Sequence, residues 1–331
     1  MKILIIHTAF IGDIVLSTPL IRAVKEKYKN SEIHYLTTPA GKAILKNNPN
    51  LKKIISYDKN GENNGVKELF KLIKYVKDEN FDIAIIPHRY LKSSLIAFGA
   101  KIKTRIGYSN SEGKFLLTEK IGYQKSKHEV QRLLSLVGKD NINIKNTKLE
   151  LYPGKKEITK INKIWKSNNL DKYKVIVIAP GSKWFTKMWP IEYYNELIEK
   201  LSLDLNNKII LVGGNDEKYL KISENEKTLN LIGETSLLEL AELLKRSDLL
   251  IGNDSSPLHI ASAFDTEIIA IFGATTKSLG FYPWSQNAIV LENKGLECRP
   301  CGLHGGDSCP EKHFKCMLEI KPDKVLELIN K

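Results

Sequence analysis

Short apolar runs alternate along this chain with longer stretches in which apolar residues return at helical spacing. The runs Lys2–Ile6, Ile33–Leu36, Ile54–Ser56, Asp82–Ile86 and Arg105–Tyr108 predict short buried strands. Between and after them, Ile14–Lys27 (apolar at Ile14, Leu16, Leu20, Ile21 and Val24), Gly41–Asn47, Val66–Lys77, Lys92–Phe98 and His128–Val137 predict helices. Strands that alternate with helices build a parallel sheet covered on both faces. Lys139–Lys148, polar and rich in Asn and Lys, reads as a linker. A second alternation follows: helix Lys156–Ser167, strand Val175–Ala179, loop Pro180–Pro190, helix Ile191–Leu201 and strand Lys208–Val212. A Gly-Gly-Asn-Asp turn, a further helix and the unit Asp248–Thr275 complete it. In that last unit the run Leu249–Ile251 ends at Gly252, and Ser255-Ser256-Pro257 opens a short helix carrying His259 before the run Ile268–Phe272. The pattern predicts an α/β protein of two doubly wound domains facing across a cleft, residues 1–150 and 151–320. A terminal helix, Pro322–Ile329 within 321–331, is expected to pack back on the first domain.

The length of 331 residues suffices for two cores, and the 42% apolar and 27% charged fractions are those of a soluble globular chain. A formal net charge of +13 changes the picture: it fits a multiply anionic substrate, a nucleic acid or an anionic membrane face. Lysines scattered by biased composition fit it equally well. The amino-terminal apolar run is interrupted by His7, Gly12 and Asp13, no small-residue cleavage site follows, and no apolar stretch approaches the ~18 residues of a membrane span. A cytoplasmic chain working against an anionic inner leaflet is the resulting expectation.

Candidate chemistry lies in loops that follow strands, where doubly wound sheets hold their ligands. In the first, HTAFIGD, Asp13 stands at a helix entrance, either facing a ligand or capping the helix. The fingerprint G-x-G-x-x-G is absent there, which counts against a nicotinamide oxidoreductase, and Gly113-Lys114-Phe115 fails as a P-loop. In Pro180–Pro190, two lysines with Ser182 and Thr186 near a helix start suit a diphosphate, with Trp184 and Trp189 packed beneath. In GGNDE, Asp216 or Glu217 could accept hydrogen bonds from ribose hydroxyls, although the sequence is also plain turn chemistry. At Ser255 the hydroxyls are expected to cap the helix, and the remaining N–H groups form an anion site. No Asp-x-Asp pair offers a metal clamp for a diphosphate. All four cysteines fall in Cys298-x2-Cys301-x7-Cys309-x6-Cys316, a spacing that fits a structural zinc, with His304 and His313 as spare ligands, as well as free thiols or a disulfide.

Gly12-Asp13 with Ser17-x-Pro19, the loop Pro180-Gly181-Ser182 to Thr186-Lys187-x-Trp189-Pro190, and Asn253-Asp254-Ser255-x-Pro257-x-His259 resemble glycosyltransferase family 9, the ADP-heptose:lipopolysaccharide heptosyltransferases. The resemblance runs through almost the whole chain, and the cysteines look most like the heptosyltransferase II branch. It implies a GT-B fold and inverting transfer of heptose from ADP-heptose to the inner core of lipopolysaccharide, with no cofactor or metal required. It implies Asp13 as catalytic base and Lys187 on the departing phosphate. Ser182, Thr186, Asp216 (or Glu217), Asp254, Ser255, Ser256 and His259 would surround the donor. Arg22, His88, Arg89 and Lys92 are candidates for the anionic acceptor, each with plain surface solvation as its alternative. Ser256 stands where the family usually has Gly, and Phe185 and Met188 replace the more usual Pro and Arg. The same fold acting on another nucleotide sugar, and a basic RNA- or membrane-binding module, are the rivals. The module predicts a basic stripe with interleaved aromatics, whereas Trp165, Trp184, Trp189 and Trp284 fall mostly in second-half loops.

Overall fold

The structure, a computed structural model, describes residues 1–58, 61–139 and 147–329, so most of the expected linker Lys139–Lys148 lies outside the described residues. Contacts divide the chain into two compact units, Met1–Tyr152 and Pro153–Lys331.

In the first unit the order is β1 (Lys2–Ile6), α1 (Ile11–Leu16), α2 (Thr18–Lys27), β2 (Glu32–Thr37), α3 (Pro39–Leu45) and β3 (Lys53–Ser56). Then follow α4 (Val66–Asp78), β4 (Ile83–Ile86), α5 (Leu91–Gly99), β5 (Thr104–Tyr108), β6 (Glu119–Ile121) and α6 (Glu129–Ser135). The strands are all parallel in the order β3-β2-β1-β4-β5-β6. Ile3, Leu4, Ile5 and Ile6 are all buried, so both faces of β1 are covered, and that is why the strand reads as a continuous apolar run.

The helix expected over Ile14–Lys27 begins earlier, at Ile11, and is broken at Ser17. Pro19 has no N–H to give to Val15, and the Thr18 hydroxyl donates to the Val15 carbonyl instead (2.8 Å). Asp13 therefore stands inside the first turn of α1, not at its cap, which is Phe10.

The second unit runs α7 (Lys155–Ser167), β7 (Lys174–Ala179), α8 (Ile191–Ser202), β8 (Asn207–Leu211), β9 (Thr228–Asn230) and α9 (Leu237–Arg246). It continues with β10 (Leu249–Asn253), α10 (Ser256–Ala261), β11 (Glu267–Phe272), β12 (Ala288–Glu292), α11 (Lys315–Leu318) and α12 (Pro322–Ile329). Its parallel order, β12-β11-β10-β7-β8-β9, is the same winding as in the first unit. In each sheet the strand order reverses beside the first strand, between β1 and β4 and between β7 and β10. The crevice beyond the carboxyl ends of those strand pairs is where such sheets bind ligands.

The terminal helix corrects one expectation. α12 packs on α8 of its own unit: Val325 is wholly buried in that core and Asp323 pairs with Lys200 (2.6 Å). The apolar face of Val325, Leu326 and Ile329 finds its partner there, in the core that also takes Met317 and Ile320.

Candidate active site

At the first switch point, β1 runs into buried His7 and Thr8, and Asp13 follows half-buried in the first turn of α1. That turn is held from below. The Ser17 hydroxyl donates to the Ile14 carbonyl (2.7 Å) and lies 2.7 Å from the phenol of Tyr35 on β2, which is also 3.1 Å from His7 Nδ1. Burial, with the Asp13 carboxylate adding to it, holds the Tyr35 phenol above its ordinary range, so it stays a neutral hydrogen-bonding group. Just beyond β4, His88 Nδ1 lies 3.3 Å from Thr8 Oγ1 and 2.9 Å from Ser93 Oγ, which joins the two strand ends. Tyr35 and Ser17 were invisible as a pair in the sequence because eighteen residues separate them.

The acceptor candidates differ in placement. Arg89 stacks its guanidinium over Tyr123 (4.4 Å), and Lys92 stands 6.0 Å above the Tyr57 ring. Arg22 is engaged elsewhere: it pairs with Glu150, reaches Glu26 at 3.9 Å and donates to the Lys148 carbonyl, tying the end of the first unit to α2.

The second switch point is organised by Asn253, the last residue of β10 and fully buried. Its Oδ1 accepts from the Trp189 N–H (2.9 Å) and the Tyr194 hydroxyl (3.0 Å), and its Nδ2 donates to the Pro180 carbonyl (2.7 Å). One side chain thus clamps both ends of the Pro180–Pro190 loop. Trp189 is buried beneath, with its indole N–H on the Ile320 carbonyl (2.7 Å), as the loop's apolar content predicts.

On this platform Lys187 Nζ meets Asp254 Oδ2 at 2.6 Å, and the same oxygen accepts from the Thr275 hydroxyl at 2.6 Å. His259 is buried beside the pair. Burial pushes its imidazole down to about 4, Lys187 adding to the effect and Asp254 opposing it, so the ring is neutral. Among the described residues His259 Nδ1 and Ser255 Oγ are buried without a hydrogen-bond partner. Such atoms are costly unless something pairs with them. The expected capping bond from Ser255 is absent, and its hydroxyl is left for another partner. Ser256 is half-buried at the first position of α10, and Ser182 is half-buried after Gly181.

Two of the expected donor residues, Thr186 and Asp216, differ in how the chain around them holds them. The Thr186 hydroxyl is buried and engaged on both sides by Gly306, donating to its carbonyl (3.0 Å) and accepting from its N–H (2.8 Å). It fastens the loop to the cysteine-bearing segment, and a hydroxyl so occupied has no donor hydrogen left for a phosphate. Asp216 is exposed, and it is Glu217 that turns inward, its Oε2 accepting from the Gly214 N–H (3.0 Å). A Cβ at Gly181 would lie 2.0 Å from the Glu217 carboxyl carbon, and one at Gly213 2.3 Å from its Oε2. Both glycines are needed to admit the carboxylate between the loops after β7 and β8. Burial raises the Glu217 carboxyl above its ordinary range, the Gly214 hydrogen bond opposing and Asp216 reinforcing the shift.

The four cysteines lie near enough for Cys316 to feel the other three. Among the described residues no three His, Cys, Asp or Glu side chains are grouped to hold a metal ion. Cys316 is buried in the apolar core with its thiol pushed up to about 11 by burial, and Cys298 Sγ lies 3.9 Å from His313 Nε2. His304, which the sequence offered as a spare ligand, instead feels Lys187 and Asp254: burial lowers its imidazole first and Lys187 second.

The family model for glycosyltransferase family 9 (heptosyltransferase) matches residues 69–312. The chain belongs to that family. Lipooligosaccharide heptosyltransferase 2 of Campylobacter jejuni is 27% identical over 341 residues, covering 100% of this chain and 99% of the relative. Lipopolysaccharide heptosyltransferase 3 of Escherichia coli is 26% identical, covering 85% of each chain. The solved structure of E. coli ADP-heptose lps heptosyltransferase II superposes with a TM-score of 0.77 at 22% identity, covering 100% of this chain and 98% of that one. The fold of this glycosyltransferase is therefore GT-B, the architecture implied by its two parallel six-stranded sheets.

Proposed function

We propose that this glycosyltransferase moves a heptose from ADP-heptose to the inner core of lipopolysaccharide, with inversion, as an enzyme of the heptosyltransferase II type. The observation that carries the reading is the group Lys187, Asp254, Ser255 and His259 at the β7/β10 switch point: a held cation beside a hydroxyl and a neutral ring nitrogen that lack partners. Displacement at the anomeric carbon requires a base for the incoming hydroxyl and stabilisation of the departing diphosphate on the opposite face of the sugar. Asp13 belongs to the first unit and the Lys187 group to the second. Asp13 takes the proton of the acceptor hydroxyl as its oxygen bonds to the sugar carbon. The bond to the diphosphate breaks, and its new charge falls on Lys187, which Asp254 and Thr275 hold in place. Ser255 and His259 supply further hydrogen bonds. Glu217 is assigned to the ribose hydroxyls in place of Asp216. In this reading Lys187 supplies the charge that a divalent ion supplies in other glycosyltransferases, so turnover persists in chelator.

The acceptor class is supported by unit one, where His88, Arg89 and Lys92 stand at the carboxyl end of β4 or at the start of α5, suited to anionic core sugars. No helix among the described residues is long and apolar enough to cross a membrane, so contact with a lipid-anchored acceptor would be peripheral. The near-equal likeness to a heptosyltransferase 3 supports a second reading, transfer to a later heptose of the core. The test is ADP or other nucleoside diphosphate release with defined core acceptors. ADP release from ADP-heptose alone, on an acceptor bearing a single heptose, is expected. Equal use of UDP- or GDP-sugars would overturn the donor, and exclusive use of a longer core would favour the second reading.

A further inference from the structure

We propose that the outward face of α5, with the turn Lys114–Leu116 beside it, is the surface on which the first unit docks to an anionic phospholipid bilayer. α5 is apolar on both sides. Ile96 and Ala97 are buried against the sheet, as a surface helix requires, yet Leu91, Leu95 and Phe98 recur at the opposite face. Leu91 is 37% and Phe98 51% exposed, and Phe115, on the turn that packs against α5, is 71% exposed. Leu91 also closes on Gly113 (3.3 Å to an added Cβ), which joins the stripe to that turn. An isolated exposed apolar residue means nothing, whereas a contiguous set on a helix already satisfied on its other face marks an interaction surface.

The charge around the stripe selects the occupant. Exposed Lys101 and Lys103 follow the helix, Lys114 precedes Phe115, and Arg105 lays its guanidinium 5.6 Å from the Phe98 ring. Across residues 88–118 the one acidic side chain is Glu112, and it accepts from the Leu91 N–H (2.9 Å). Aromatic and aliphatic side chains ringed by cations fit the headgroup boundary of an anionic leaflet. The stripe starts two residues after Arg89 and three after His88. The inference rests on the acceptor reading above: a lipid anchored in that leaflet would present its sugars at the end of β4.

Flotation of the full-length enzyme with phosphatidylglycerol vesicles and with phosphatidylcholine vesicles tests it, using Phe98→Ser with Phe115→Ser, and Lys101→Gln with Lys103→Gln. Binding to phosphatidylglycerol is expected, weakened about tenfold by the aromatic pair and about fivefold per lysine removed. Transfer to an acceptor embedded in vesicles should fall in step, while transfer to the deacylated acceptor in solution stays at the wild-type rate. Equal vesicle binding by wild type and variants, equal binding to both lipids, or self-association through this face in sedimentation would overturn the proposal, as would equal loss on the soluble acceptor. Absence of transfer by the wild type on any acceptor would remove the functional reading and leave the flotation result standing.

Discussion

The two units share one strand order, yet their switch points are built in opposite ways. In the second, the side chains beyond β7 and β10 are tied to one another: Asn253 clamps both ends of a loop, and Lys187, Asp254 and Thr275 form a chain of short contacts. In the first, the turn bearing Asp13 is braced by Ser17 and Tyr35, whereas the acceptor candidates Arg89 and Lys92 stand over aromatic rings, Arg89 sharing Tyr123 with Arg132. A donor that is small and the same in every turnover rewards a rigid, dry, preorganised pocket. Spread charge and exposed apolar surface suit a large amphipathic partner. The contrast is between a second-unit loop end whose polar groups are fixed on one another and a first-unit turn braced only from beneath.

The sharpest way to break that contrast is Asp13→Asn. Loss of a general base costs about 10²–10⁴-fold in kcat, and ADP affinity should stay at the wild-type value because the binding groups stand on the other unit. A parallel fall in both, by stopped-flow turnover and calorimetry, would show that Asp13 also supports donor binding. Lys187→Ala comes next, with an expected loss of about 10²–10³-fold in kcat together with weaker ADP binding. If Lys187→Ala leaves ADP affinity intact, the ion pair with Asp254 is structural only.

The winding, the loops and their order were legible from the amino acids because a parallel sheet buried on both faces writes itself as apolar runs. The edge strands β6, β9 and β12 were not, since each is half-exposed and lacks that signature. Asp13 and Lys187 stood out by loop position, whereas Asp254 and His259 were singled out by the resemblance to the family. Which neighbour takes which job could not be read from either. Thr186 is claimed by Gly306, 120 residues away, and the choice of Glu217 over Asp216 depends on the room left by Gly181 and Gly213. Arg22 looked like a binding cation until Glu150 returned to meet it.

Two stability measurements sharpen the picture of a rigid second unit. Asn253→Ala leaves the Trp189 N–H, the Tyr194 hydroxyl and the Pro180 carbonyl without their partner, so unfolding in urea should show a loss of about 3 kcal/mol. Asn253→Asp, which sets a buried carboxylate oxygen against the Pro180 carbonyl, should cost at least as much near neutral pH. A cost below about 1 kcal/mol for the alanine variant would mean that the loop is not held from this point. The buried His259 adds a pH dependence. Its imidazole titrates at about 4 in the folded chain against an ordinary 6.5, so between those values the unfolded chain binds more protons. Stability is therefore full above about pH 6.5 and declines as pH falls toward 4, by about 2 kcal/mol between pH 7 and pH 5. His259→Gln should flatten the profile by that amount, and an unchanged slope would mean that the ring is hydrated and not buried.

The smallest expected effect discriminates best, because it sets two adjacent carboxylates against each other. Glu217→Gln keeps an oxygen for the Gly214 N–H, so the loop should retain its shape while the carboxylate proposed for the ribose is lost. Replacing a charged acceptor by a neutral one costs about 1–1.5 kcal/mol, which is roughly a tenfold rise in the donor KM with kcat little changed. Asp216→Asn, on an exposed side chain, should change the donor KM by less than about twofold. The assignment becomes a contact and not a correlation when the same pair is measured with 2′,3′-dideoxy-ADP as competing ligand. Without ribose hydroxyls the wild type should bind about as weakly as Glu217→Gln binds ADP, and the substitution should then cost nothing further. An additive loss, or a larger effect from Asp216→Asn, would return the ribose to the exposed carboxylate and leave the inward turn of Glu217 as a feature of loop packing.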